Sequence, residues 1–193
     1  MTLRLTLVAH AATAATRQAA FPVDEPLEPR GAAQAAALAG TLGRVDAAWA
    51  SPALRTLQTA TALGLDVTTD PLLADIEMPF WAGRSLAEVE RSDPAGLLQW
   101  STDPAASPHG GESVADLLRR VTRWLDDVRR REGRVVAVTH PAVIRAAIVI
   151  ALGADPRSFW RIDIEPLCFA VLLRRSRHWS LSLFNPKDAP LAR

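Results

Sequence analysis

Apolar positions in this chain recur with two periods, and each change of period marks the edge of an element. Residues 3–9, LRLTLVA, form a short apolar run that predicts a buried strand. The run stops at His10 and passes into small residues, AATAAT, so the strand ends on an imidazole with little bulk behind it. Residues 11–28 carry no period and are broken by Pro22, Pro26 and, just beyond, Pro29. Helical spacing returns in the alanine-rich stretch 28–44, which predicts a helix closing near Gly43. VDAAWA (45–50) predicts a second strand, and SPALRTLQTATALG a helix with Ser51 as N-cap and Pro52 at its first position. Residues 66–84 read as extended or looped, 85–102 as short helices interrupted at Pro94, and 112–131 as a long amphipathic helix after Gly110–Gly111. RVVAVTH (134–140) is the clearest buried strand of the parallel type. A helix follows it, opened by Pro141 and closed by Gly153, and CFAVLLRR and HWSLSLFN predict two closing strands across a turn at Ser176–Arg177.

Strand, helix, strand, helix and strand in succession predict α/β: a three-layer α/β/α sandwich with a mostly parallel central sheet. Ligands of such sheets bind beyond the carboxyl ends of the strands, where helices begin. His10 and His140 both stand there. For either alone, a hydrogen-bonded structural histidine is the simpler reading. Two in equivalent places, each followed by small residues, point to a ligand site instead. The free N–H groups of the helix starting at Pro141 add donors suited to an anion.

Composition narrows the function classes. With 193 residues and no repeat or linker, a single domain over 1–193 is expected. A net charge of +1 gives no electrostatic case for nucleic acid or an anionic membrane, so any anion site must be local. No run approaches the roughly 18 apolar residues of a membrane span. The N-terminal apolar run breaks at His10 after about five residues, short of the roughly 7–15 residues of a secretory signal. Cys168 stands alone, which fits a reducing cytoplasm and excludes an internal disulfide. Four histidines and one cysteine show no metal-ligand spacing, so neither metal nor cofactor is expected.

The segments LTLVAHAAT, LEPRGAAQAAALA, SPALRTLQTA, LADIEMPFWAG, GGES and VVAVTHPAVIRAAI resemble, in order and spacing, the histidine phosphatase superfamily of phosphoglycerate-mutase-like proteins. The resemblance runs over residues 3–153 and implies that family's fold. It implies that His10 is the nucleophile and takes the phosphoryl group as a phosphohistidine. A neutral imidazole suits that task, because one nitrogen can attack while the other donates to the backbone. Arg55 would hold phosphoryl oxygens with its planar fork, and His140 would stabilise charge as it develops. Asp75, two residues after Leu73 and ahead of Trp81 and Gly83, stands where the family carries its proton-donating carboxylate, usually a glutamate. Glu77 is close enough to rival it. Glu112 and Ser113 of GGES are expected to shape a loop and cap the helix they precede.

One position departs from the pattern. The family signature is Arg-His-Gly, and this chain has Ala9-His10-Ala11. Losing one preorganised donor aimed at developing charge costs about 3–4 kcal/mol. Arg17, on the loop after the nucleophile with Thr13 and Thr16, is the candidate phosphate ligand in its stead. Arg84 and Arg145 are lesser candidates, Arg145 reading better as an ion-pair partner on its own helix. Two functions follow: a phosphatase hydrolysing a small phosphate monoester through a phosphohistidine, or a catalytically impaired pseudo-phosphatase that binds an anionic ligand or a protein partner. Retention of His10, Arg55, Asp75 and His140 together favours the enzyme. A phosphatase is expected over a mutase, because only residues 76–109 offer lid material. There Met78 and Phe80 are candidates for an apolar wall against the alcohol part of the ester, with Trp81 and Trp100 as core beneath the loops. The expected partner is a small phosphorylated substrate, and the resemblance admits a homodimer.

Overall fold

The computed structural model describes residues 2–175 and 178–184. Its centre is a strand pair, β1 (Leu3–Ala9) and β4 (Gly133–Thr139), aligned in parallel from Leu3 opposite Gly133 to Ala9 opposite Thr139. Both strands are apolar on both sides because both sides are covered. Leu3, Leu5, Leu7 and Ala9 enter the main core with Val135 and Ala137, while Val8, Val136 and Val138 enter a second cluster on the opposite face. The first face is covered by α6 (Val114–Val128) and α7 (Pro141–Leu152), the second by α3 (Leu54–Ala62). Those are the three layers read from the sequence.

The sheet has six strands in the order β3-β2-β4-β1-β5-β6. β2 (Ala47–Ala50) joins β4 in parallel, and the two-residue β3 (Thr68–Thr69) extends the sheet within the stretch read as extended or looped. β5 (Phe169–Arg175) and β6 (His178–Phe184) run antiparallel, β5 against β1. The turn expected at Ser176–Arg177 lies outside the described residues.

Three helical stretches differ from the expectation. The loop after His10 contains a short helix, α1 (Ala14–Gln18), because Thr13 caps it by accepting from the Thr16 N–H. The next helix, α2 (Pro29–Ala36), stops well before Gly43 and unwinds through successive turns. Ser51 is not an N-cap: α3 begins at Leu54, after Ala53. The expected break at Pro94 separates α4 (Leu86–Ser92) from α5 (Pro94–Thr102), Asp93 capping the second through the Gly96 N–H. Ser113 caps α6 in the same way, through the Asp116 N–H. No helix among the described residues is long and apolar enough to cross a membrane.

Candidate active site

The register of the central pair builds the site. With Ala9 opposite Thr139, the next residues of both strands emerge side by side, and the His10 N–H donates to the Thr139 carbonyl at 3.0 Å. The two imidazole rings stand 5.3 Å apart at 66°. His10 Nδ1 lies 2.8 Å from the Ala11 carbonyl oxygen. A carbonyl can only accept, so Nδ1 carries the proton and Nε2 is left with its lone pair free. Burial and the neighbouring His140 hold the His10 pKa down at about 4, against the pull of the Ala11 carbonyl. The imidazole is therefore neutral near pH 7, the form that can attack. The loop behind it is fixed by the Ala11 N–H, which donates to Thr59 on α3 at 3.0 Å.

His140 is fully enclosed, hydrogen-bonded at one ring nitrogen and close to a carboxylate at the other. Its Nε2 is 2.8 Å from the Ser51 hydroxyl, and its Nδ1 is 3.3 Å from Asp75 Oδ2. Ser51 follows β2, and its own N–H donates to the Val138 carbonyl, so strand pairing delivers it to His140. Sequence reasoning missed this role, since a serine before proline reads locally as a cap. Arg55 enters from the first turn of α3 and is only 4% exposed. Its Nη1 donates to the Val23 carbonyl at 2.9 Å and its Nη2 to Asp75 Oδ2 at 2.8 Å. Its Nε is buried with no acceptor among the described residues.

Asp75 Oδ2 thus sits between a guanidinium and an imidazole, while Oδ1 accepts from the Ile76 N–H. Burial alone pushes this carboxyl up, but the charges of His140 and Arg55 together bring it well below the usual carboxylate range. Its segment is gripped from α6, where Arg120 donates to the carbonyls of Leu72, Ala74 and Asp75 and pairs with Glu112 at 2.6 Å. Glu77 is exposed and makes no such contact; its carbonyl instead receives the Glu112 N–H. Gly111 is required there, because a Cβ would fall on the Glu77 carbonyl oxygen.

A cavity of about 290 Å³ opens beside His10 and Asp75. Phe21, Met78, Trp100 and Phe159 line it, and Arg145 is the basic residue on its wall. Of the two side chains expected to form the apolar wall, only Met78 does so; Phe80 is 68% exposed, and Trp100, expected in the core, takes its part. Thr13 and Thr16 also reach the cavity. Arg17 does not: it lies in the last turn of α1, 64% exposed, paired with Glu28 at 2.8 Å. Thr13 and Thr16 wind the loop into α1 and turn Arg17 outward. Ala9 has no exposure, and its methyl lies in the main core. Arg84 bonds within its own segment, to the Glu88 carbonyl and Ser92. No group of three or more His, Cys, Asp and Glu among the described residues could hold a metal ion.

A sequence model of the histidine phosphatase superfamily (branch 1) matches residues 5–187. The chain belongs to this family. Phosphoserine phosphatase 1 of Hydrogenobacter thermophilus is 32% identical over 164 residues, 80% of this chain and 78% of that protein. A bifunctional protein of Mycobacterium tuberculosis is 32% identical over 173 residues, 84% of this chain, which spans 48% of that longer protein. A solved structure of mycobacterial glucosyl-3-phosphoglycerate phosphatase in complex with VO3 superposes with a TM-score of 0.85 at 26% identity. That superposition covers 94% of this chain and 98% of the other. In this histidine phosphatase, then, the two strand-end histidines, the α3 arginine and the loop carboxylate of the resemblance converge, and the loop arginine Arg17 stays outside.

Proposed function

We propose that the chain hydrolyses small phosphate monoesters through a phosphohistidine at His10 Nε2. The observation that carries the reading is the fixed tautomer of His10: Nδ1–H held by the Ala11 carbonyl, Nε2 open beside the cavity. An entering phosphoryl dianion competes with Asp75 for Arg55 and His140. As these turn to the phosphoryl oxygens, Asp75 loses the charges that keep it ionised and takes up a proton from solvent. Nε2 then attacks phosphorus, the P–O bond to the alcohol breaks, and Asp75 gives its proton to the departing oxygen. Arg55 and His140 stabilise the charge on the transferring group throughout. In the second half, Asp75 draws a proton from water, the water oxygen bonds phosphorus, and the N–P bond breaks to restore His10 and release phosphate.

Relatives bear the names of phosphoserine and glucosyl-3-phosphoglycerate phosphatases, so a small phosphorylated organic acid is the substrate class to try first. We place the activity in the cytoplasm, where the lone free Cys168 meets a reducing environment. The test is hydrolysis of p-nitrophenyl phosphate beside a His10→Ala control, with acid trapping of the phosphoenzyme. The expected result is a phosphohistidine that is absent from the control, and turnover that survives EDTA. Binding of phosphate without hydrolysis above the control would leave the impaired, ligand-binding reading, to which the absence of an arginine at Ala9 already lends support.

A further inference from the structure

Arg145 is the feature of the cavity that the phosphoryl chemistry leaves unused. It stands one helical turn past Pro141 on the same face of α7, roughly 6 Å along the axis. Both residues line the cavity that contains His10. Its Nε donates to the Ile162 carbonyl at 2.7 Å, which fixes the plane of the guanidinium. The two terminal nitrogens make no hydrogen bond among the described residues. The nearest acid is Asp163, 3.9 Å from Nη2 with a side chain that is 94% exposed, too loose and too wet to neutralise it. Phe159 lies beside the guanidinium, 5.8 Å from ring centroid to Cζ. Burial also lowers the Arg145 pKa, the mark of a cation short of solvent.

A guanidinium held at Nε and open at both terminal nitrogens presents two parallel N–H groups, the pattern that fits the two oxygens of one carboxylate. Among the described residues, the only carboxylate lining the same cavity is Asp75, already engaged by Arg55 and His140. No second carboxylate among the described residues lines it to neutralise an ammonium group. We propose that Arg145 binds a carboxylate of the substrate, so that the enzyme selects phosphate monoesters of hydroxy acids over those of amino acids and of uncharged alcohols. The inference rests on the phosphatase reading and deepens it.

Three esters with one carbon skeleton separate the possibilities: 3-phosphoglycerate, glycerol 3-phosphate, which lacks its carboxylate, and O-phosphoserine, which adds an ammonium. The full chain should favour 3-phosphoglycerate over each of the others by about tenfold or more in kcat/KM. Arg145→Gln should lower kcat/KM for 3-phosphoglycerate by roughly 10- to 100-fold, mainly through KM, the range of a charge-assisted pair. Glycerol 3-phosphate should change by about twofold or less, and Arg145→Lys should restore part of the loss. Because Arg145 also ties α7 to the Ile162 carbonyl, thermal melts of each variant accompany the kinetics. An equal fall on all three esters, with or without a lowered Tm, overturns the proposal and returns Arg145 to the frame or to the phosphoryl group. So does wild-type preference for O-phosphoserine. If no ester is hydrolysed above the His10→Ala background, it is the phosphatase reading that fails.

Discussion

At the scale of single residues, the free imidazole of His10 makes a prediction about pH. Its pKa lies at about 4 rather than the ordinary 6.5, so acid does not protonate the proposed nucleophile until well below neutrality. The acid limb that His10 contributes to kcat/KM, corrected for the ester's own ionisation, should lie near 4; a limb near 6.5 would count against the burial argument. The unfolded chain, by contrast, takes up that proton as pH falls through 6.5. The fold should therefore lose stability between about pH 6.5 and 4, visible as a falling urea midpoint. Asp75 gives a second outcome. Asp75→Asn should slow hydrolysis of alkyl phosphates by about 10²–10⁴-fold and of p-nitrophenyl phosphate far less, because a good leaving group needs little protonation. The same pattern from Glu77→Gln would reassign the acid. His10 was legible because it ends an apolar strand, and Asp75 because its segment resembles the family's carboxylate-bearing one. Ser51 and Arg17 were not: one is delivered by strand pairing, the other removed by a two-threonine cap that makes a helix out of a loop.

Among the elements, α6 does more than cover the sheet. Its Arg120, steadied by Glu112, supplies the donors for three carbonyls in the turn that carries Asp75. Arg120→Met leaves those acceptors without partners at a partly buried site, at a cost of about 1–3 kcal/mol. For a chain of this size that lowers Tm by roughly 2–4 °C per kcal/mol. The mark of positioning rather than mere stability lies in the kinetics. Alkyl phosphates should lose more kcat than p-nitrophenyl phosphate, since the acid drifts while the nucleophile stays put. A uniform loss on both would make Arg120 purely structural. Periodicity predicted α6 and its cap well, because its apolar stripe and Ser113 are local signals. It carried no word of the clamp, since the clamped carbonyls lie more than forty residues upstream.

For the whole molecule, the legible part was the layering. Strands buried on both faces, separated by helices, leave few ways to pack, and the three layers follow from that. What composition and period could not supply was neighbourhood. That β1 and β4 are adjacent, in a register that sets His10 beside His140, is a property of the assembled sheet. This pair is also the innermost part of the fold. Its amides, including the His10 N–H bonded to Thr139, should exchange with deuterium only through global unfolding, while those of α4, on an exposed face, exchange through local opening. Rapid exchange in β1 would mean that the site floor opens on its own.

The carboxylate of Asp75, bridging Arg55 and His140, has a consequence for ligands that are never turned over. It is a tethered competitor, held against the same two cationic groups that an anion would use. On the proposed mechanism, a phosphate that binds must first displace it. Asp75→Asn keeps the shape of the side chain and removes its charge. That variant should therefore bind orthophosphate more tightly than the wild type by calorimetry, even as it loses turnover on alkyl esters. Equal or weaker binding would mean that Asp75 does not occupy the anion's place. With tighter binding, the residue that enables catalysis is also the one that sets how readily the enzyme lets its product go.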